Sequence, residues 1–497
     1  MTTEDLKNAI IDTEDEWIGK ALPKGYGKNK KKTAHFLKPA LITAACAVLV
    51  TLGVLLWPRE NGSPTHVAHA YALAEAEYPA MANGEDFYLK DAQDWYKLTV
   101  EQMRELESKQ LKASQEDQKV FSSVKGSGES LKPFLQKAMT LSLSGAGNEN
   151  ALSAPLNLYM ALAMLAETTA GKTQQEILHT IGVESAKTLQ AQAKKVWRAN
   201  YYDNGYVKCV LGSSCWLSDR LNYEQNCVEA LRDNYYASVF YGEMGSEKYD
   251  EVFRDWINEQ TGNLLEESVS KLNLNPLTVI DLVSTFYFQD KWEAKFDPGK
   301  NTREVFHGVA GDLEAEYMHI TDWYGVYYYA DRFGAYGKSL NDSDAVLYFI
   351  LPDEGVSIED LLKDLQLQAF LTSNEAVPYV SIKVNFSLPK FDIAQDQDLK
   401  ETVQQLGIRK VFEQREADFS ALTADSAAWL STVQQGARII VDEEGVKAAA
   451  YVNLPVVGAP APPEDQIDFV LDRPFLFVLR SRDDLPLLAG IVNQPQQ

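Results

Sequence analysis

Residues 442–463 read D-E-E-G-V-K-A-A-A-Y-V-N-L-P-V-V-G-A-P-A-P-P, and the fold is decided by how this stretch is read. After the acidic start Asp442, Glu443, Glu444 and the glycine Gly445, apolar residues alternate. Val446, Ala448, Ala450, Val452 and Leu454 fall on one side, and Lys447, Ala449, Tyr451 and Asn453 on the other. Period-two alternation fits a strand in a sheet with one buried face. The same stretch runs into Pro455, Pro460, Pro462 and Pro463, which lack the N–H that a ladder needs and favour an extended, exposed chain. It is a strand equipped for two environments, outside a sheet and inside one.

Working outward, the flanking chain supplies sheets for such a strand. Arg438 to Val441 leads into it, and residues 474–479 and 487–492 close the chain as apolar strands. Upstream, residues 207–217, 279–288, 324–329, 345–351 and 380–391 read as strands. The pair 324–329 and 345–351 is expected to be joined by a loop of Gly, Asn and Asp. Residues 251–265 and 398–406 read as helices, the second stopped at Gly407. Leu156, Met160, Leu162, Ala163, Met164 and Leu165 are too uniformly apolar for a surface helix, so theirs is central. Strands and helices mix without regular alternation and no internal repeat is evident, which predicts an α+β fold with large mixed or antiparallel sheets.

Several motifs, in order, resemble one family. Glu443, Glu444, Gly445 and Ala448, Ala449, Ala450 resemble the hinge of the reactive-centre loop of serpins, the serine protease inhibitors. Ala154-Pro155-Leu156, Ala170-Gly171-Lys172-Thr173, Phe286-Tyr287-Phe288, Lys291-Trp292, Phe296-Asp297-Pro298, Leu351-Pro352, Pro389-Lys390-Phe391, Asp418-Phe419-Ser420 and Pro474-Phe475-Leu476-Phe477 match at the family's spacing, from about Leu131 to Pro495. The resemblance implies a serpin fold of mixed sheets and surrounding helices with an exposed loop. It also implies suicide inhibition. A serine protease, in some members a cysteine protease, cuts the loop and forms an acyl-enzyme. The freed arm then inserts into the main sheet before deacylation. Val446 stands where Thr or Ser is usual but is small and β-branched; Tyr451 is larger than usual but falls on the outward side.

Counted at the family's spacing from Gly445, the scissile residue is Ala459. Pro460 would follow the cut, and a proline nitrogen leaves poorly, so Val456, Val457, Gly458, Ala459 and Pro460 all stand as scissile-bond candidates. They are small or aliphatic, which implies an elastase-like or subtilisin-like target. The family's polar cluster under the main sheet maps onto Asn157, Ser284 and Gln435, with Ser and Asn exchanged. The exchanged pair is expected to keep its hydrogen bond, so that swapping either alone costs more than swapping both. Trp292 matches the tryptophan at the top of the main sheet, where insertion starts.

The remaining features narrow the setting. The 497 residues carry a formal charge of −24, which excludes nucleic acid as partner, since phosphate binding needs a basic footprint. A basic cluster including Lys28, Lys30, Lys31 and Lys32 precedes an uncharged stretch that begins at Ala40 and ends at Trp57. At 1.5 Å per residue that is roughly 27 Å of helix, enough to span a bilayer with snorkelling flanks. The basic side stays cytoplasmic. The expected layout is a cytoplasmic tail (1–39), a transmembrane anchor (40–57), a stalk or N-terminal extension (58–130) and a serpin domain (131–497). The resemblance, with this layout, implies a bacterial-type serpin with an added anchor, expected to be extracellular and monomeric. Cleavage after Ala68-His69-Ala70, leaving a secreted protein, is the alternative. Cys209, Cys215 and Cys227 lack metal-site or disulfide spacing and read as buried thiols. The 6 histidines sit in no hydrolase motif, and residues 166–173 lack the first glycine of a phosphate loop, so no enzyme activity, cofactor or metal is expected. The other function class left open is a non-inhibitory serpin-fold binding protein tethered to the membrane.

Overall fold

The structure is a computed structural model that describes residues 70–82, 97–425, 428–446 and 465–495. In chain order its strands are β1 (Ala72–Ala74), β2 (Ala151–Ser153), β3 (Tyr202–Asp203), β4 (Lys208–Ser218), β5 (Ala237–Gly242), β6 (Ile280–Lys291), β7 (Thr302–Gly308), β8 (Gly311–Tyr329) and β9 (Phe333–Ser339). They continue as β10 (Val346–Pro352), β11 (Tyr379–Pro389), β12 (Phe391–Asp398), β13 (Gln434–Val441), β14 (Gly445–Val446), β15 (Gln466–Val470), β16 (Phe475–Arg480) and β17 (Pro486–Val492). The longer helices are α1 (Val100–Ser122), α2 (Lys132–Leu143), α3 (Pro155–Thr168), α4 (Gly171–Ile181), α5 (Ala186–Asn200), α6 (Gln225–Tyr235), α7 (Glu247–Gln260) and α8 (Lys400–Leu406).

Two sheets organise them. The main sheet runs β1-β5-β4-β6-β14-β13-β12, with β3 on β4; the second runs β15-β11-β8-β9-β10-β16-β17-β2, with β7 on β8. Among the described residues only β4–β5 and β11–β15 are parallel pairs. The sheets are therefore mixed and mostly antiparallel, as expected for an α+β fold.

Helix α3 lies at the centre because its sequence has no polar face. Pro155 occupies its first turn, where a missing N–H costs nothing. Leu156, Met160, Ala163 and Met164 are fully buried, and the helix packs on β6 and β17. Strands β16 and β17 are buried along their whole length, which their unbroken apolar runs require. Cys209, Cys215 and Cys227 are buried free thiols.

The structure corrects several boundaries. The helix read at 251–265 is α7, which ends at Gln260 because Gly262 and Asn263 turn to positive φ. The connection between 324–329 and 345–351 is no plain loop: it contains β9, paired with both β8 and β10. The strand read at 380–391 is two strands in different sheets. Lys390 is the crossing point, with β11 on β8 and β12 on β13.

Part of the stretch assigned to the stalk lies against the body. Ala72 and Ala74 pair with β5, and Tyr78 packs its ring 5.1 Å from Trp197. Thr99 starts α1 with a reciprocal capping box to Gln102, and Arg482 pairs with Asp117 near its other end. Among the described residues no helix is long and apolar enough to cross a membrane. The stretch from Ala40 to Trp57 lies outside them.

Candidate functional site

The chain leaves β13 and turns back into the main sheet within four residues. The Asp442 carboxylate (Oδ1) accepts from the Glu444 N–H at 2.9 Å and the Gly445 N–H at 3.2 Å, the local bonding that makes Asp a turn residue. The Asp442 N–H donates to the Gly445 carbonyl, closing the turn. The returning β14 sits between β6 and β13, with Val446 antiparallel to Asp290 on one side and Val441 on the other. Among the described residues no ladder joins β6 directly to β13, so the hinge strand is what links them.

Each hinge residue has a physical reason to be what it is. A Cβ on Gly445 would stand 2.4 Å from the Asp290 carbonyl oxygen and 2.5 Å from the Lys291 Cα, both backbone atoms that cannot move aside. Val446 is buried. Burial alone would raise the Glu443 carboxyl, but its own N–H, Asn301 Nδ2 at 2.5 Å and Lys390 Nζ at 3.2 Å donate to it and hold it below the usual range. Glu444 pairs with Lys295. Reversing the Glu443 charge (Glu443→Lys) sets two cations together, and is expected to lower stability by about 2 kcal/mol in urea titrations. Glu443→Gln should cost less than half of that.

Trp292 supports the turn from beneath. Its indole N–H donates to the Asp442 carbonyl at 2.8 Å and its backbone N–H to the Glu444 carbonyl at 3.1 Å. The Lys338 ammonium lies 5.3 Å from the Trp292 ring centroid and 4.7 Å from that of Phe296, and donates to the Ala294 carbonyl at 2.5 Å. Burial pulls this lysine down to about 8. Asp290 is pushed up to about 6, again chiefly by burial, which the Ser343 hydroxyl and N–H oppose by donating to its carboxylate.

The polar cluster under the sheet is built differently from the exchanged pair expected. Asn157 Nδ2 donates to the main-chain carbonyl of Ser284 at 3.1 Å, not to its hydroxyl. The Asn157 Oδ1 and Ser284 Oγ are buried without a partner among the described residues. Gln435 does not join this pair; it exchanges hydrogen bonds with the Ala154 backbone, accepting at 3.0 Å and donating at 3.2 Å. Any residue at 284 supplies a carbonyl, so the two substitutions should not couple as the exchanged pair would have. Asn157→Ala is expected to cost about 1–3 kcal/mol and Ser284→Ala under about 1 kcal/mol. The double variant should match their sum within roughly 0.5 kcal/mol in denaturant titrations.

Sequence reasoning missed two glutamines that act alongside Gln435. Gln395 accepts from the Leu152 N–H at 2.6 Å, and Gln397 donates to the Leu152 carbonyl at 2.9 Å. With Gln435 they clamp β2 and Ala154 to β12 and β13. The only signal was the alternation of Gln395 and Gln397 in a strand whose other residues are charged or apolar. Ala448, Ala449, Ala450 and the scissile-bond candidates Val456, Val457, Gly458, Ala459 and Pro460 lie outside the described residues.

Comparison with known proteins places this arrangement. The family model described as "Serpin (serine protease inhibitor)" matches residues 134–495. Alpha-1-antitrypsin of Meriones unguiculatus is 27% identical over 359 residues, covering 70% of this chain and 85% of its own. Among solved structures, the thermophilic serpin tengpin in its native state superposes with a TM-score of 0.66 at 23% identity, over 73% of this chain and 93% of that one. Thyroxine-binding globulin in complex with thyroxine gives 0.61 at 20% identity, over 74% and 99%.

Proposed function

The chain belongs to the serpin family, a family of serine protease inhibitors, and from that premise we propose that it inhibits a serine protease by loop cleavage and insertion. The protease cuts between Val446 and Asp465, and the freed arm enters the main sheet as a strand between β6 and β13. One observation carries the reading, the register of β14. Val446 is antiparallel to both Asp290 and Val441. Continued in that register, Ala448 would face Phe288 and Ile439, Ala450 would face Phe286 and Ala437, and Val452 would face Ser284 and Gln435. Every inward side chain of the arm is small or apolar, so no charge has to be buried. Burying Val452 and Leu454 alone contributes about 1.5–3 kcal/mol each.

The target cleaves after a small or aliphatic residue, on the strength of Val456 to Ala459, and is elastase-like or subtilisin-like. The body is held outside the cell by the stretch from Ala40 to Trp57, following the basic residues before it. The bacterial-type assignment, the stalk boundaries, monomeric state and the alternative of secretion belong to the same reading. Protease treatment of intact cells would degrade an extracellular body and spare a cytoplasmic one.

The test of inhibition is to mix the full-length chain, in detergent micelles, with an elastase and with a subtilisin, and to seek a denaturant-resistant adduct. Mass spectrometry of the released C-terminal peptide identifies the scissile bond. An adduct together with a large rise in thermal stability of the cleaved form is the expected result. Clean cleavage by several proteases, with neither effect, would favour a serpin-fold binding protein, a reading to which the likeness to thyroxine-binding globulin lends support.

A further inference from the structure

The N-terminal extension fixes where the chain enters the body. Among the described residues it first joins the main sheet at Tyr71, whose carbonyl accepts from the Tyr241 N–H at 2.8 Å. Ala72 then stands opposite Phe240 on β5, Phe240 beside Trp216 on β4, and Trp216 opposite Asp281 on β6. The segment is held there by the Ala76 N–H, which donates to Ser238 Oγ at 3.1 Å, and by the packing of Tyr78 on Trp197. This root is level with Asp281, whereas the hinge strand enters opposite Asp290. The two levels lie nine positions apart on one strand, about 30 Å.

The same register sets where an inserted arm ends. With Val446 opposite Asp290, Pro455 comes opposite Asp281 and Val456 opposite Ile280, the residue at which β6 begins. A cut after any of Val456 to Ala459 therefore leaves the acylated residue at the end of the sheet where the extension enters. Four strand spacings separate the two points, from the arm across β6, β4 and β5 to β1, or about 19 Å. A protease of about 250 residues has a radius of gyration of roughly 18 Å, so a body attached there reaches across to the root. Upstream, residues 58–69 are all that separates Ala70 from the stretch ending at Trp57. Fully extended they span about 45 Å, comparable with the width of one such protease.

We propose that trapping carries the protease to the root of the tether, so that the captured enzyme is held against the bilayer in which the chain is anchored. The uncut loop is offered from the other end of the sheet. The proposal rests on the inhibitory and anchoring readings above and adds the surface on which the partner is finally held. As the serine oxygen of the protease bonds to the scissile carbonyl carbon, the peptide C–N bond breaks and the new amine leaves with the serine's proton. The ester that remains moves the enzyme with the arm. No side chain of the extension has to touch the enzyme, because the register of β1 and the length of 58–69 bring enzyme and bilayer together.

The experiment reconstitutes the full-length chain in vesicles of phosphatidylcholine and phosphatidylglycerol with an acceptor fluorophore on the headgroups, and forms the adduct with the elastase or subtilisin that it traps. In one sample the protease carries the donor. In the other the donor is on Val305→Cys in a Cys46→Ser background, where the remaining cysteines Cys209, Cys215 and Cys227 are buried and escape labelling. Val305 is 45% exposed and lies on β7, just beyond Asn301, which bonds to Glu443, so it reports the hinge end. Energy transfer from the protease is expected to exceed that from position 305 roughly two-fold or more, given about 30 Å between the two ends of the sheet. Equal or weaker transfer from the protease, with the adduct confirmed on denaturing gels, overturns the inference and leaves inhibition standing. Absence of any adduct removes the inhibitory reading, and failure of the chain to float with the vesicles removes the anchor. Each of these two results overturns the inference as well, and each is visible before energy transfer is measured.

Discussion

Val446→Glu is expected to convert the protein from an inhibitor into a substrate: the loop is still cut, but the denaturant-resistant adduct falls more than ten-fold and the stoichiometry of inhibition rises accordingly. Val446 is 4% exposed and faces Asp290 directly across the β14–β6 pair. Insertion proceeds from this position, which already sits between β6 and β13 in the uncut chain. A glutamate here is expelled from the gap, since keeping it there buries a second carboxylate beside one already desolvated, and reseating it as the arm inserts costs about 3–5 kcal/mol. Slowed by that barrier, insertion loses the race with deacylation, and each extra 1.4 kcal/mol shifts the partition about ten-fold. Val446→Thr keeps the branched shape and should retain most of the adduct.

The defect should also depend on pH. Asp290 has a carboxyl raised to about 6, above its ordinary value, so folding favours its neutral form and any penalty tied to its charge is fully present well above pH 6. That penalty is relieved as pH falls through 6. Adduct formation by Val446→Glu should therefore recover partly at pH 5, whereas the wild type should gain little. Gel quantification of adduct against cleaved product at pH 5 and pH 8 is sufficient. Equal yields from both proteins at pH 8 would sink the idea that insertion proceeds from a seated Val446.

How much of this was legible in the sequence depends on the range of the forces involved. The apolar runs at 474–479 and 487–492 are local, and local patterns read directly as strands. The central helix was equally plain, because a run such as Leu156 to Leu165 has nowhere to go but the core. Distant partners were less legible. The switch of sheets at Lys390 leaves alternation intact on both sides, so nothing local marks it. Strand β9 contains Gly334 and Gly337, which read as loop. Gly334 is admitted because the Tyr327 side chain packs where its Cβ would be.

The N-terminal extension posed the same problem in stronger form. Ala72 to Ala74 have helix-like composition, and pairing with β5 decides their conformation instead. Gln395 and Gln397 look like an ordinary polar strand edge; their partner at Leu152 lies 243 and 245 positions away. The family pattern located Asn157, Ser284 and Gln435 but could not reveal that the Asn157 bond goes to a backbone carbonyl. That choice is made by the position of β6 against α3, which no spacing in the chain encodes.

The other large effect is expected at Trp292. Replacing it with alanine should lower stability by about 3–5 kcal/mol, the usual cost of removing a fully buried large aromatic, and should loosen the hinge as well. The indole is 1% exposed and its N–H holds the Asp442 carbonyl, the first residue of the turn. Its ring also covers the ammonium of Lys338, which is left with Phe296 and one carbonyl when the indole is gone. An ammonium so buried is costly unless its neighbours compensate for lost water. Trp292→Phe separates the two contributions. It keeps an aromatic face toward Lys338 and loses only the N–H bond and some volume, so it should cost about 1–2 kcal/mol. Urea titration gives the stabilities, and amide exchange at Trp292 and Phe296, whose N–H groups donate to Glu444 and Glu443, reports the hinge. Faster exchange in Trp292→Ala at these two amides, well beyond that of the core strands β16 and β17, is the predicted signature. If exchange accelerates uniformly across the body, Trp292 is a core residue like any other, and its place beside the hinge has no bearing on when the loop enters.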